Sequence, residues 1–416
     1  MKRIIFLIGF FCWGPQGQGQ NALGRDASGR ELSKTAIWKE IAPFFTVPAE
    51  YRQQLGSYRP PLKFYDGRVV KTPEDWKLRR KEILYLFSKN VYGQMPKSYD
   101  SINFVLVNAD YTAMSGRAHM KQVRIEVWKK GEMLPINVVL FLPARAPKPV
   151  AAFILINNRG TENTDVTRKT RSTFWPAELV IDSGYAVAAF HVNDAAPDNP
   201  EHYQDGVLQL YPEQIKAADG MKAVGAWAWA ASRVMDYLLT DTQIDPKQVA
   251  VVGHSRGGKA ALWAGAQDQR FKYVFSNCSG NTGAALSRRM FGETVKKINT
   301  SFPHWFNDNY KKFNDSVNKL PVDQHMLIGL IAPRPVYITN ATKDLWADPV
   351  GSFLALKEAE KVYSLYSLKS GLGHTLPLPE NPVIESTLGY HLRTGEHDLN
   401  IYDWTQFVKF VKYHAK

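Results

Sequence analysis

The stretch Gly253-His254-Ser255-Arg256-Gly257 follows a β-branched run and precedes an alanine-rich segment. In a GxSxG turn between a buried strand and a helix, the serine takes a strained backbone conformation that projects its Oγ from the end of the sheet. Gly253 and Gly257 stand where strand and helix must pass closely. The pattern therefore predicts a nucleophilic Ser255, and an ordinary strand-to-helix loop is the alternative.

A serine hydroxyl needs a base to take its proton and a third group to orient that base. In α/β hydrolases these follow in the order serine, acid, histidine, on loops after late strands. His397, just before the last predicted helix, is the expected base, and His374 is its competitor. The acid is expected in the loop after the strand predicted at 335–340, where we prefer Asp344 to Asp348 because it is nearer to the strand end.

Alternating helices and strands would position these residues. Strands are predicted at 102–107, 121–128, 136–143, 151–157, 186–192, 249–253, 272–276, 335–340 and 362–367, and helices at 74–93, 220–240, 258–267, 285–298, 350–360 and 403–414. The early strands suggest hairpins, and the later alternation indicates right-handed crossovers. The predicted fold class is an α/β-hydrolase fold: a mostly parallel sheet with an antiparallel N-terminal part and helices on both faces.

Length and composition predict a compact enzyme-sized domain. The chain has 416 residues, of which 44% are hydrophobic and 22% charged, and it shows no internal repeat or low-complexity linker. We expect a single domain at 21–416 with a helical extension at about 21–100. Lys2 and Arg3 before a short apolar run predict a signal peptide at 1–20 and export to the periplasm or beyond, whereas a frayed terminus is the alternative. Signal cleavage would remove Cys12 and leave Cys278 with no intramolecular partner for a disulfide.

The net charge of +13 comes from scattered residues. No basic run is interleaved with aromatic residues, so a nucleic-acid module is not expected. No stretch after the leader reaches the ~18 apolar residues of a membrane span. We expect either that the positive charge suits an acidic polysaccharide as the partner or that the charge has no specific function.

Several long motifs, in order and at characteristic separations, carry a family resemblance. They are GHSRGGKAALWAGAQDQRF, SNCSGNTGAALSRRMFGET, PHWF, LPVDQHMLIGLIAPRPVY, DLWADP and GEHDLNIYDW. From about Trp76 to Trp404 the chain resembles the bacterial members of carbohydrate esterase family 15, the glucuronoyl esterases. The resemblance implies an α/β hydrolase that needs no metal or other cofactor.

The resemblance also implies roles for individual residues. Ser255 would be the nucleophile, His397 the base, and the Arg256 guanidinium and amide would stabilise the oxyanion. By this resemblance, the residues that bind the sugar are Lys259, Glu293 and Trp346. A solvated cation pair at the helix start is the alternative for Arg256 and Lys259, and a core position is the alternative for Trp346.

One residue departs from the family pattern. Many members place the catalytic acid as a glutamate in a SNxSG-like segment, where this chain has Cys278. A thiol cannot stabilise an imidazolium as a carboxylate does. The orienting role then moves to Asp344, or the enzyme is weak or has a shifted substrate.

The predicted function is a monomeric serine esterase acting on esters of (4-O-methyl-)glucuronic acid side chains of glucuronoxylan, including lignin–carbohydrate links, through a uronoyl enzyme. An acetyl xylan esterase or another carbohydrate deacetylase would use the same three catalytic groups. A carbohydrate-binding relative with weak catalysis is an alternative from another class.

Overall fold

A computed structural model describes residues 46–51, 58–147 and 149–415. The predicted leader at 1–20 and the first part of the predicted extension, 21–45, lie outside the described residues. Within the described ranges, no helix combines the length and apolar character that a bilayer span needs.

A nine-stranded mixed sheet lies at the centre of the described residues, in the order β1-β2-β3-β5-β4-β6-β7-β8-β9. The strands are β1 Ser101–Asp110, β2 Ala118–Lys129, β3 Glu132–Pro143, β4 Val150–Asn157, β5 Ala186–His191, β6 Ile244–His254, β7 Tyr273–Asn277, β8 Val336–Ala341 and β9 Leu388–Arg393. Pairing is antiparallel from β1 through β3 to β5 and parallel from β5 to β9. The predicted mostly parallel sheet with an antiparallel N-terminal part is confirmed.

Helices cover both faces of this sheet, as predicted. The helices that we number are α1 Pro73–Phe87, α2 Ala177–Asp182, α3 Val207–Leu210, α4 Pro212–Lys216, α5 Ala223–Leu238, α6 Arg256–Gln267, α7 Val295–Ser301, α8 Gln324–Gly329, α9 Pro349–Ser364 and α10 Ile401–His414. Successive strand residues point to opposite faces. In β4, Phe153 packs in the same cluster as Phe407 of α10, whereas Ile154 belongs to the cluster that contains Trp263 of α6.

The first helix shows how the local sequence determines where a helix begins and which face it buries. Thr72 caps α1 by accepting from the Asp75 amide, and the Asp75 carboxylate accepts from the Thr72 amide in return. Trp76 and Ile83, on the predicted apolar face, are fully buried. The helix predicted at 74–93 therefore exists, although its last turn, Ser88–Tyr92, is π-helical.

Two predicted elements are wrong or misplaced. The strand predicted at 362–367 does not form, because α9 continues to Ser364 and buries Val362 and Tyr363 on its own inner face. The last parallel strand is β9, which was not predicted. The helix predicted at 285–298 is reduced to α7, and the residues before it form loops and a short 3-10 turn.

The parallel strands bring distant residues to one edge. Parallel strands all end at the same side of a sheet, and in open α/β sheets ligands bind there. Ser255 follows β6, Cys278 follows β7, Asp344 lies three residues after β8, and His397 lies four residues after β9. The predicted nucleophile, acid and base are thus carried to one end of the sheet.

We expect Ile154→Ala to lower the free energy of unfolding by about 3 kcal/mol, because it removes a fully buried side chain from the central strand β4. Leu106→Ala on β1 is the matched control, since that leucine is 55% exposed. Urea unfolding of both variants measures the difference. Equal losses would contradict the assignment of the core.

Candidate active site

Ser255 lies at a sharp bend between β6 and α6. Its backbone dihedrals are φ 55° and ψ −124°, a strained combination for a residue with a side chain. Its amide donates to the Asn277 carbonyl at 2.8 Å, and its carbonyl accepts from the Lys259 amide at 3.1 Å. A Cβ at Gly253 would overlap the Gly257 carbonyl, which explains the glycine before the serine. The bend that a nucleophile elbow requires is therefore present.

His397 and Asp344 form a close contact at the same end of the sheet. His397 Nδ1 lies 2.6 Å from Asp344 Oδ2. The aspartate side chain is 5% exposed and the imidazole 39% exposed, so the buried carboxylate orients an imidazole that is open to solvent. Because Nδ1 is engaged, Nε2 is the nitrogen left for a serine proton. The His397 ring centroid lies 4.6 Å from that of His254, the residue directly before Ser255.

His254 places a neutral imidazole next to His397. Burial lowers the pKa of His254 well below its usual value, and the neighbouring His397 lowers it further. The Arg159 guanidinium donates to Nε2 at 3.3 Å, so Nδ1 carries the proton and donates to Asn277 Oδ1 at 2.5 Å. His397 therefore has an uncharged imidazole beside it rather than a competing cation.

The loop that carries His397 is anchored from the core. Arg393 Nη2 donates to the carbonyls on either side of the histidine, to Glu396 O at 2.8 Å and to Asp398 O at 2.6 Å. Arg393 Nε donates in turn to the fully buried Asp403 at 3.1 Å. Neither residue was predicted, because Arg393 ends an unpredicted strand and Asp403 lies in the first turn of α10, so the pair gives no local motif.

Asp348, the alternative acid, has different partners. Its carboxylate pairs with Arg289 Nε at 2.8 Å and caps α9 by accepting from the Gly351 amide at 2.9 Å. Of the two aspartates, Asp344 is the one in contact with His397. This arrangement agrees with the preference for Asp344.

Cys278 lies against this pair. Its Sγ, an Asp344 oxygen and a His397 nitrogen all lie within 4.8 Å of one another. Burial raises the pKa of the Cys278 thiol well above its usual value, and the Asp344 carboxylate adds to the effect. Thiol, carboxylate and imidazole are zinc ligands as a set. Here His397 and Asp344 share a hydrogen bond, and the thiol beside them is neutral.

A half-buried carboxylate that the sequence did not reveal anchors Arg256. Arg256 Nη2 donates to the Asn158 carbonyl at 3.0 Å, and Arg256 Nε pairs with the Asp198 carboxylate. Asp198 also accepts from His304 Nε2 at 2.9 Å and from Trp305 Nε1 at 2.7 Å. Burial opposes ionisation of Asp198, but these donors and the Arg256 charge hold its pKa below the usual value. The guanidinium is thus held in place at the start of α6.

The predicted sugar-binding residues form one cluster. Lys259 is 2% exposed, and its Nζ donates to Ser279 O at 2.8 Å, Asn281 O at 2.5 Å and Glu293 Oε2 at 2.6 Å. Burial lowers the pKa of Lys259 and raises that of Glu293, which the neighbouring ammonium partly offsets. The Glu293 amide donates to the Trp346 carbonyl at 2.9 Å. The lysine is therefore a buried support and not part of a solvated pair.

Comparisons with known proteins agree with this geometry. The model of the family described as glucuronyl esterase, fungi, matches residues 125–367, which is more than half of the chain. The chain belongs to the glucuronyl esterase family. This membership confirms the resemblance to carbohydrate esterase family 15 and makes the protein a carboxylic ester hydrolase.

Individual glucuronyl esterase relatives support the same conclusion. Carbohydrate esterase MZ0003, from an unknown prokaryotic organism, is 39% identical over 386 residues, which cover 85% of this chain and 88% of that protein. The structure of a glucuronoyl esterase from Solibacter usitatus matches with a TM-score of 0.80 at 36% identity, over 89% of this chain and 99% of that one. A 4-O-methyl-glucuronoyl methylesterase from Podospora anserina is 27% identical over 327 residues, which cover 76% of this chain and 61% of that protein.

We expect Asp344→Asn to lower kcat by about 10⁴-fold, because an amide can hold His397 in the wrong tautomer and cannot stabilise the imidazolium. Asp348→Asn is the matched control and should mainly lower the melting temperature, since it weakens the Arg289 pair. Steady-state ester hydrolysis and thermal unfolding measure the two effects. A larger kcat loss in the Asp348 variant would reverse the assignment of the acid.

Asp198→Asn should lower kcat by up to about 100-fold with little change in KM, because Arg256 loses the carboxylate that places it. Asp182→Asn, at an exposed pair with Arg117 (2.7 Å), is the control. Steady-state kinetics of both variants provide the measurement. An unchanged kcat for Asp198→Asn would show that Arg256 is held well enough by Asn158 alone.

Proposed function

We propose that the protein hydrolyses esters of glucuronic acid with Ser255, His397 and Asp344 as its catalytic triad. The observation that carries this proposal is the 2.6 Å contact between His397 and Asp344 at the end of the sheet where Ser255 is held in its strained bend. Membership of the glucuronyl esterase family supports the substrate class. The relative from Podospora anserina bears the name of this activity.

The proposed mechanism assigns one role to each group. Ser255 Oγ attacks the C6 carbonyl of the uronate while His397 Nε2 takes its proton, and Asp344 stabilises the imidazolium through Nδ1. The oxyanion faces the amide and guanidinium of Arg256 at the N-terminus of α6. His397 then gives its proton to the departing alcohol. Water attacks the uronoyl enzyme with the same base, which releases the acid and restores the serine.

The cluster of Lys259, Glu293 and Trp346 supports recognition of the uronate ring. The three protons of Lys259 already have acceptors, so we assign it to holding Glu293, which in turn would accept from sugar hydroxyls. Trp346 is partly exposed and would offer an apolar face to the ring. This assignment refines the expectation that Lys259 contacts the sugar directly.

The proposal extends to the natural substrate. The 4-O-methyl-glucuronoyl side chains of glucuronoxylan, including ester links to lignin, are acidic after hydrolysis and suit a protein of net charge +13. A polymeric plant substrate also agrees with export through the predicted leader and with action as a monomer.

The two alternatives fit the site less well. A deacetylase would use the same triad, but it would have no use for the buried Lys259–Glu293 pair next to a neutral acetyl group. A carbohydrate-binding relative would need no contact between His397 and Asp344. The site has both the pair and the contact, which favours hydrolysis of a uronate ester.

Ser255→Ala should lower kcat on methyl glucuronate by about 10⁶-fold, the effect of losing a serine triad. The parent enzyme should turn over methyl glucuronate faster than acetylated xylose and react with a fluorophosphonate probe, whereas the variant should not be labelled. Ser301→Ala, a substitution at the end of α7, is the control for both assays.

Two results would overturn this proposal. Near-normal hydrolysis by Ser255→Ala would remove the nucleophile from the mechanism. Turnover of acetylated xylose well above that of methyl glucuronate would instead favour the deacetylase.

A further inference from the structure

A thiol, a carboxylate and an imidazole converge at the end of the sheet that carries Ser255. The Sγ of Cys278, a carboxylate oxygen of Asp344 and a ring nitrogen of His397 all lie within 4.8 Å of one another. His397 and Asp344 have roles in the proposed mechanism, whereas Cys278 has none. Together the three side chains offer one sulfur, one oxygen and one nitrogen ligand, a set that suits a zinc ion.

The distances are close to those of a tetrahedral zinc site. Zinc binds sulfur at about 2.3 Å and nitrogen or oxygen at about 2.0–2.2 Å, which places ligand atoms roughly 3.3–3.7 Å apart. His397 Nδ1 and Asp344 Oδ2 are 2.6 Å apart and would have to separate by less than about 1 Å. Small rotations of the side chains would therefore complete the site.

The backbone holds Cys278 in a conformation that few residues with a side chain adopt. Its φ angle is 47°, in the left-handed region, and its amide donates to the Thr339 carbonyl of β8 at 2.8 Å. Such strain persists only where the surrounding structure enforces it. Because Asp344 follows the same strand, β8 positions both the sulfur and the carboxylate.

The cluster is open to solvent on one side. Cys278 and Asp344 are buried, whereas the His397 side chain is 39% exposed. An ion would therefore enter past the imidazole. The fourth position of the tetrahedron would face solvent and take a water molecule.

The charges of the cluster suit a divalent cation. Asp344 carries one negative charge, and Cys278 gains a second when the ion displaces the thiol proton to solvent. Arg393 and Lys259 act on these groups, but each has a carboxylate partner of its own. Burial keeps the pKa of the free thiol high, so without the ion the sulfur is neutral and leaves the contact between His397 and Asp344 intact.

We propose that Cys278, Asp344 and His397 form a zinc site whose occupation switches off ester hydrolysis. Zinc on Nδ1 of His397 leaves the proton of the neutral ring on Nε2, the nitrogen that must accept the serine proton. The ion also takes the carboxylate that would stabilise the imidazolium. Zinc is thus an inhibitor here and not a cofactor. The loss of activity rests on the proposed function, whereas binding of the ion rests on the geometry alone.

Cobalt binding tests the site without reference to catalysis. Co²⁺ can replace Zn²⁺ in such a site, and a thiolate ligand gives it a charge-transfer absorption band in the near ultraviolet. We expect the full chain to bind one Co²⁺ per molecule with this band, and Zn²⁺ to displace it. Cys278→Ser should lose the band, because a neutral hydroxyl is a poor ligand. Cys12→Ser, which removes the other cysteine of the chain, is the matched control and should keep it.

Inhibition is measured on methyl glucuronate. Saturating Zn²⁺ should lower turnover by the parent enzyme and by Cys12→Ser at least about 100-fold, the contribution of a general base, and EDTA should restore it. For Cys278→Ser, the Zn²⁺ concentration that halves its own metal-free rate should rise at least about 10-fold, since even loss of a group that supports a metal ligand costs this much affinity. Mg²⁺ and Ca²⁺, which prefer oxygen ligands, should leave the rates unchanged.

The outcomes separate the zinc site from the proposed function. A parent protein without the cobalt band, or a band and an inhibition that persist in Cys278→Ser, would overturn the site. Zinc that displaces the bound cobalt but leaves turnover undiminished would overturn its inhibitory role. No turnover of methyl glucuronate by the metal-free enzyme would overturn the proposed function, and the cobalt band would still decide the site. Circular dichroism checks that Cys278→Ser is folded, and the band of the parent protein stands as a test even where this variant does not fold.

Discussion

The backbone bend at Ser255 is the constraint on which the active site depends. A residue with a side chain is destabilised in this conformation by roughly 1–3 kcal/mol and keeps it only when its surroundings enforce it. Here the Asn277 carbonyl holds the serine amide from β7, and the start of α6 holds its carbonyl. In the proposed mechanism, the same bend aims the N-terminus of α6, and with it Arg256, at the place where negative charge would develop. The proposed nucleophile and the proposed oxyanion donors are therefore fixed by one local geometry.

The sequence was informative where a backbone requirement demands a residue type. The glycines around Ser255 predicted the sharp bend that the structure has, because close strand–helix approach leaves few choices. The expected order of serine, acid and histidine led to Asp344 and His397, which lie in contact, and their catalytic roles stay a prediction. The strand β9 was missed since it contains His391 and Arg393, polar residues that a hydrophobic pattern excludes. Asp403 on α10 offsets the burial of both, since it lies 2.8 Å from His391 and 3.1 Å from Arg393. Such tertiary partners cannot be inferred from local pattern.

The active site keeps most of its charges in buried or half-buried pairs. Lys259 with Glu293 and Arg256 with Asp198 place each cation against a carboxylate, so desolvation of one charge is offset by the other. Cys278 also keeps the number of charges at this site small. A glutamate at that position would add a second carboxylate next to Asp344, whereas the neutral thiol leaves a single anion to face His397.

The proposed catalytic groups come from the ends of strands that pair only in the complete sheet. The proposed acid follows β8 and the proposed base follows β9, and a loop region of more than 20 residues separates α9 from β9. Parallel pairing of strands that are far apart in the chain forms slowly. After dilution from denaturant, recovery of hydrolytic activity should consequently lag behind recovery of the spectroscopic signal of the helices. Turnover then reports when the last strand of the sheet has docked.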